Sequence, residues 1–573
     1  MSEPTVVRVS GPLVEVASMG AARVLDLVEI GPERLAGEVI SLRGDVAVVQ
    51  AHEYTGGLGP GAPVRLGDGP LRAELGPGLL GGVFDGMLRR LDALDERLVP
   101  GARAATLPQD RRWRFTPAVT AGGAIPGGAV LGTVPETVAI ETRVLAPPDA
   151  GGTVEWVAPA GEYTVAEPIA AVGGRELRLA HLWPLRRPRP TGLRLEASVP
   201  LGTGQRALDL MFPVARGSTA AVPGGFGTGK TVLLQQIAKW CDADVIVYVS
   251  CGERGNELAD VLQEISTLED PRTGRSLLDR TVLIANTSNM PLMARELSVY
   301  AGVTVAELYR DMGYDALVIA DSTSRWAEAL REIASRTGEL PAEEGYPSGL
   351  ASTLASFYER AARVQTLAGG TGSVTILGAV SPPGGDMAEP VSAHTRRCVR
   401  NVWSLDRDLA YARHYPAVSW TQSSARDTRH VARWQAENGD PQWGERRARA
   451  IRLLAEGDRV QAVAELVGAA SLPDPERVVL LTGRLLREAV LQQSALSEHD
   501  AWSSRAKQAA LLAMVLALHD RALDLVRRGV PAARIEELDL SAAARARDQA
   551  GPDDAAGVAA IRDRLLAAME ALA

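Results

Sequence analysis

Residues 224–231 read GGFGTGKT, which fits the spacing G-x-x-x-x-G-K-[ST]. Glycines at this spacing let backbone N–H groups converge on phosphate oxygens, and the positive end of a following helix reinforces the attraction. The predicted nucleotide-contacting set is Gly224, Gly225, Phe226, Gly227, Thr228, Gly229, Lys230 and Thr231. Lys230 would reach the β- and γ-phosphates, and the Thr231 hydroxyl would meet a Mg2+ ion carried with ATP or ADP. An ordinary glycine-rich turn is the plainer reading of the same letters. Against it stands the lysine, because Lys230, Lys239 and Lys507 are the only three among 61 basic residues. Arginine's planar fork is larger and differently aimed, whereas an ammonium on a flexible stem fits a narrow phosphate slot as a compact charge.

Such a loop calls for a metal-side carboxylate at the end of a neighbouring hydrophobic strand. In YDALVIADSTSR the candidate is Asp321, reached through an apolar run and followed at once by polar residues. The alternative is a helix cap, since DSTS suits an N-cap. Hydrolysis also needs a group that orients and polarises water. ADVIVYVSCGERGNE ends a strand with Glu253, then Arg254, then Glu257, although a carboxylate after a strand is commonly just solvated. In RHYPAVSW, Tyr415 and Pro416 fall in a loop where an aromatic face could stack on a purine; a structural tyrosine is the alternative.

Periodicity supplies the framework for these residues. Between about 200 and 425 short apolar runs alternate with helical stretches, the pattern of a parallel sheet flanked by helices. STAAVP, ADVIVYVS, RTVLIANTS, YDALVIADS and SVTILGAVS are the expected strands. Residues 1–75 show β-branched runs at about ten-residue spacing, which predicts a small β-barrel or sandwich. A glycine-rich connection over 76–107 leads to a second all-β stretch at 108–190, read as an inserted module. The nucleotide domain is placed at 191–435 and a helical domain at 436–573. The expected fold class is therefore multidomain α/β: an N-terminal β-barrel, a β-rich insert, a RecA-like P-loop domain and a C-terminal helical domain.

With 573 residues, 46% hydrophobic and 23% charged, the chain has material for several buried cores. A formal net charge of −9 argues against nucleic acid or a membrane surface as partner of the whole chain. The densest basic segment, LRRPRP at 185–190, reads as a proline-rich linker. Cys241, Cys251 and Cys398 have no C-x-x-C or zinc spacing and read as reduced thiols of a cytoplasmic chain. The N-terminus lacks the layout of a signal peptide, and no apolar run is long enough to span a bilayer.

PGGFGTGKT, GERGNE, RTVLIANTSNMP, ADSTSRWAEALREI, PAEEGYPSGLAS, FYERAARV, AVSPPGGDMAEPV and RHYPAVSW together resemble the catalytic A subunit of V/A-type rotary ATPases, in order and in spacing. The resemblance extends through GPLVEV, ELGPGLLGGVFDGM and PAGEYTV to almost the whole chain. The insert separates it from the β subunits of F-type synthases and from secretion-system ATPases, and the intact phosphate loop separates it from the non-catalytic B subunit.

The resemblance implies that Glu253 activates the attacking water, that Arg254 steadies the phosphate region, that Asp321 holds the metal through water and that Tyr415 walls the adenine pocket. It implies coupling of ATP hydrolysis or synthesis to rotation and so to movement of H+ or Na+. The implied partners are B subunits that alternate with it in a hexameric ring and supply a trans arginine, central-stalk and peripheral-stalk subunits, and a membrane sector reached indirectly. The implied location is cytoplasmic and peripheral to the membrane. The alternative is a degenerate nucleotide-binding subunit with a structural role in the same kind of ring. Three departures stand out: Thr228 where eukaryotic relatives carry cysteine, Leu496 where the family has a phenylalanine near the nucleotide, and unfamiliar wording in TQSSARDTRHVARW at 421–434.

Overall fold

The computed structural model describes residues 3–91 and 104–572, so 92–103 of the connection drawn from sequence lies outside the described residues. The chain forms two compact units. The first comprises Met1–Glu196, Ala243–Val380 and Ala388–Cys398; the second comprises Ala197–Asp242, Ser381–Met387 and Val399–Ala573.

The first unit opens with a six-stranded antiparallel sheet in the order Thr5–Ser10, Leu13–Ala17, Val46–Ala51, Leu35–Arg43, Asp26–Ile30 and Val64–Pro70. Its last strand returns to its first: Val6 N–H donates to the Ala62 carbonyl at 2.9 Å, and Val64 N–H to that of Pro4 at 2.9 Å. This closure makes a barrel and hides both sheet edges. Alternate side chains, among them Val14, Val16, Val28, Ile30, Val39 and Val49, fill the interior.

The insert forms two four-stranded antiparallel sheets, one ordered Glu141–Leu145, Val130–Pro135, Trp113–Pro117 and Gly161–Tyr163, the other Ala124–Ile125, Gly152–Val157, Pro168–Val172 and Arg175–Arg178. The buried Glu136 carboxylate fastens the insert to the preceding connection by accepting Gly78 N–H at 2.6 Å and Leu80 N–H at 3.2 Å.

The segment read as a proline-rich linker is instead a strap with buried charges. Arg186 grips Glu296 at 2.6 Å and Glu38 at 3.1 Å. Arg189, nearly fully buried, grips Asp311 at 2.7 Å and donates its backbone N–H to Glu307. A guanidinium cannot shed its proton on burial, so it stays inside only when carboxylates meet it. Those carboxylates lie far along the chain, where sequence reading finds no pattern.

The sheet that carries the candidate chemistry in this unit is parallel, in the order Val83–Phe84, Thr281–Thr287, Val245–Glu253, Asp315–Asp321 and Thr371–Val380. Its strands are near-continuous apolar runs, as expected when helices cover a parallel sheet. The helix Leu292–Asp311 packs on it and is buried almost all round.

In the second unit the fully buried strand Thr219–Pro223 precedes the helix Lys230–Trp240 and pairs in parallel with Asn401–Val402. Its C-terminal part is mainly helical: Trp443–Val467, Asp474–Leu485 continuing as a π-turn through Leu491, Arg505–Arg527, Ser541–Gln549 and Ala555–Glu570. Among the described residues no helix is long and apolar enough to cross a membrane.

Candidate active site

Glu253 and Asp321 end adjacent parallel strands of the first unit, at the carboxyl edge where open α/β sheets bind ligands. Ser250 pairs with Asp321, and the register then slips so that Glu253 falls opposite Thr287. The slip occurs at Gly252, whose φ is +74°, and a Cβ there would stand 3.1 Å from Cβ of Arg325. Only glycine satisfies both demands, and the resulting bulge re-aims Glu253 out of the strand's alternation.

Burial drives the Glu253 carboxyl up to about 7, with the Asp321 charge and the neighbouring Glu257 adding to the rise. Arg325 opposes that shift, but its Nη1 is held by both oxygens of Glu328 at 3.0 and 2.9 Å. Glu253 is thus not the solvated carboxylate of the plainer reading. Asp321 is buried and accepts the Tyr248 hydroxyl at 3.1 Å. Burial first, and the Asp321 charge second, hold that tyrosine protonated and so a donor. The helix-cap alternative for Asp321 falls away, because the cap of helix Thr323–Thr337 is Ser322, which accepts the Arg325 N–H. Arg254 lies exposed at the start of the helix Gly255–Thr267.

The phosphate loop lies in the second unit. Gly229 caps the helix Lys230–Trp240 in the left-handed region, at φ +81°. A Cβ there would come within 3.3 Å of the Tyr415 ring, so glycine lets the aromatic face approach the loop. Lys230 Nζ bonds Ser381 Oγ. Thr228 is buried and donates its hydroxyl to the Gly225 carbonyl at 2.9 Å, bracing the loop from within. Thr231 is exposed at the start of the helix, and the Phe226 ring stands 99% exposed. Tyr415 is 43% exposed, joined to Pro416 by a cis peptide bond, and its carbonyl accepts Gln493 N–H at 2.7 Å. Three residues beyond Gln493, Leu496 is 98% exposed.

Sequence reading missed Ser381, Ser322 and Tyr248. Ser381 and Ser322 are small polar residues directly after apolar strands, the same signal that found Asp321; Tyr248 lies inside a strand and gave none. The unfamiliar 421–434 segment acquires a physical account: buried Asp427 accepts Arg400 Nε at 2.6 Å, Asn401 Nδ2 at 2.7 Å and Ala215 N–H at 3.1 Å. It ties the Ser424–Ala425 strand and the helix Thr428–Glu437 to the edge of the phosphate-loop sheet.

Four family models match the chain in succession. The beta-barrel domain of the ATP synthase alpha/beta family matches residues 6–66, and the ATP synthase alpha/beta subunit barrel-sandwich domain matches 104–186. The nucleotide-binding domain of the ATP synthase alpha/beta family matches 204–425, and the C-terminal domain of V and A type ATP synthase matches 432–535. The expected fold class is borne out. The chain is 48% identical over 546 residues to the A subunit of the A-type ATP synthase of Thermococcus onnurineus (strain NA1), covering 93% of each. It is 49% identical over 548 residues to the V-type ATP synthase alpha chain of Nitrosococcus oceani, covering 94% of this chain and 93% of that one. Among solved structures it is similar to the ATPase EscN of the enteropathogenic E. coli type III secretion system, with a TM-score of 0.66 and 22% identity over 90% of this chain and 100% of the other, a likeness of fold alone.

Proposed function

The chain belongs to the A subunits, or alpha chains, of A- and V-type ATP synthases, and from that premise we propose how its residues divide the work of the catalytic, ATP-binding subunit. Gly224, Gly225, Phe226, Gly227, Thr228 and Gly229 wrap the phosphates with backbone N–H groups, and Lys230 neutralises the β- and γ-phosphates. Tyr415 and Pro416 wall the adenine. Thr231 and Asp321 are hard oxygen donors of the kind Mg2+ takes, and would hold it together with phosphate oxygens and water. When bound, the ion neutralises charge on the phosphates.

Glu253 is the observation that carries catalysis rather than binding alone. A base works best with a pKa near the working pH, and burial has brought this carboxyl to about 7. In hydrolysis the water oxygen bonds to the γ-phosphorus, its proton passes to Glu253, and the bond to the bridging oxygen breaks with its electron pair leaving on ADP. Synthesis runs the same steps backwards. Arg254 steadies the phosphate region. An arginine from a neighbouring B subunit completes the site, as arginine fingers do elsewhere. The setting we propose is a hexameric ring of alternating A and B subunits on central and peripheral stalks, at the cytoplasmic face of a membrane sector that carries H+ or Na+. The limits 1–75, 76–107, 108–190, 191–435 and 436–573 are our proposal for its domains.

The test is Mg-ATP turnover by the ring assembled from this chain and B subunits. Lys230→Ala loses nucleotide affinity, whereas Glu253→Gln keeps it and loses turnover by about a hundredfold or more. In the unmutated ring kcat/KM falls as pH drops through about 7, because Glu253 takes up the proton it must be free to accept. Normal turnover by both variants overturns the residue assignment. Nucleotide binding without turnover in the unmutated ring favours the degenerate structural subunit.

A further inference from the structure

Ser322 is wholly buried and has no place in the division of labour above. Its hydroxyl stands between two elements, 3.3 Å from Glu253 Oε1 and 3.4 Å from the Arg325 backbone nitrogen. A serine hydroxyl has one proton and two lone pairs, so it can donate to the carboxylate while accepting the N–H of the first helical turn. Accepting from that turn orients the hydroxyl and polarises its O–H bond toward the acceptor.

We infer that Ser322 is a positioning residue for Glu253, holding the carboxylate by one oxygen so that its remaining lone pairs face the attacking water. The inference rests on the reading of Glu253 as the base. The surroundings explain why a neutral hydroxyl holds this place. Arg325 passes beside Gly252, where its Cβ would stand 3.1 Å from any added methyl, but both oxygens of Glu328 engage its guanidinium. A guanidinium paired directly with Glu253 would fix the carboxylate equally well, yet would pull its pKa down and weaken it as a base. A hydroxyl orients it and leaves its basicity largely intact.

The experiment is a double-mutant cycle in the assembled ring. Ser322→Ala is expected to lower kcat about tenfold with the KM for ATP unchanged, the size of one hydrogen bond to a charged group. Ser322→Thr, which keeps the hydroxyl, recovers most of the loss. If the alanine variant fails to fold, Ser322→Cys replaces it, keeping the volume and exchanging a strong donor for a weak one. In a Glu253→Ala background, removing the serine hydroxyl costs nothing more, because no carboxylate remains to be held. An equal tenfold loss in that background overturns the inference and leaves Glu253 as the base. Unimpaired turnover by Glu253→Ala alone overturns the base assignment itself, and the inference falls with it.

Discussion

Lys507 is wholly buried, and its ammonium donates to the carbonyls of His499 at 2.7 Å, Arg547 at 2.7 Å and Ala550 at 3.0 Å. Three donors meet three acceptors that converge on one point, a geometry a flat guanidinium fork cannot reproduce. With Lys230 in the phosphate role proposed above, it and Lys507 escape the chain's preference for arginine for one physical reason, the need for a compact cation in a small space. Lys239 is different: it lies over the Trp240 ring at 4.8 Å, where an arginine stacks as well or better. Lys507→Arg is expected to cost about 1–3 kcal/mol through carbonyls left unpaired. Lys239→Arg is expected to be neutral, and denaturation midpoints of the two variants side by side check the contrast.

At the scale of elements, the bulge at Gly252 separates a strand that merely ends in a carboxylate from one that aims it. Gly252→Ala forces a side chain into the left-handed region, for about 1–2 kcal/mol, and presses a methyl against Arg325. The expected outcome is a modest loss of stability beside a much larger loss of kcat, because displacing Glu253 by a fraction of an ångström spoils its alignment with water. Thermal midpoint and single-turnover rate on the same preparation check it. Equal, small losses in both would mean that the bulge has no part in aiming the base. The helix Leu292–Asp311 shows a second kind of element-scale control: its buried Glu307 is answered by Arg360 and the backbone of Arg189, and Asp311 by the Arg189 side chain. The insert's exit strap is thereby locked onto the helix that backs the parallel sheet ending in Glu253 and Asp321.

At the scale of the whole molecule, the four domain types occur in the order of the four matched family models, and the function proposed above shares the site with a neighbouring subunit. In that proposal an arginine of a B subunit supplies a further cation to the γ-phosphate. The isolated chain is therefore expected to bind Mg-ATP yet to turn it over about a thousandfold or more slowly than the ring, the range an arginine finger is worth. Rates measured on the chain alone and after adding B subunits decide it. Equal rates would mean that this chain holds a complete site.

Features written in contiguous residues were legible before any folding was known. The glycine-rich loop, the strands of the parallel sheet and Asp321 at a strand end could be read from local spacing and from apolar runs that stop abruptly, whereas Glu253 was singled out by the family resemblance, its position after a strand fitting a solvated carboxylate as well. Features that depend on residues meeting across the chain were settled by the three-dimensional arrangement. Ser381 meets Lys230 from 151 positions away, and Ser322 meets Glu253 from 69. The LRRPRP segment turned from linker to strap because its carboxylate partners lie on remote elements. The cap of the helix after Asp321 proved to be Ser322, one residue further on. The acidity of Glu253 could not be read from its neighbours in sequence at all: it comes from burial and from charges that a strand register and a one-residue bulge bring beside it.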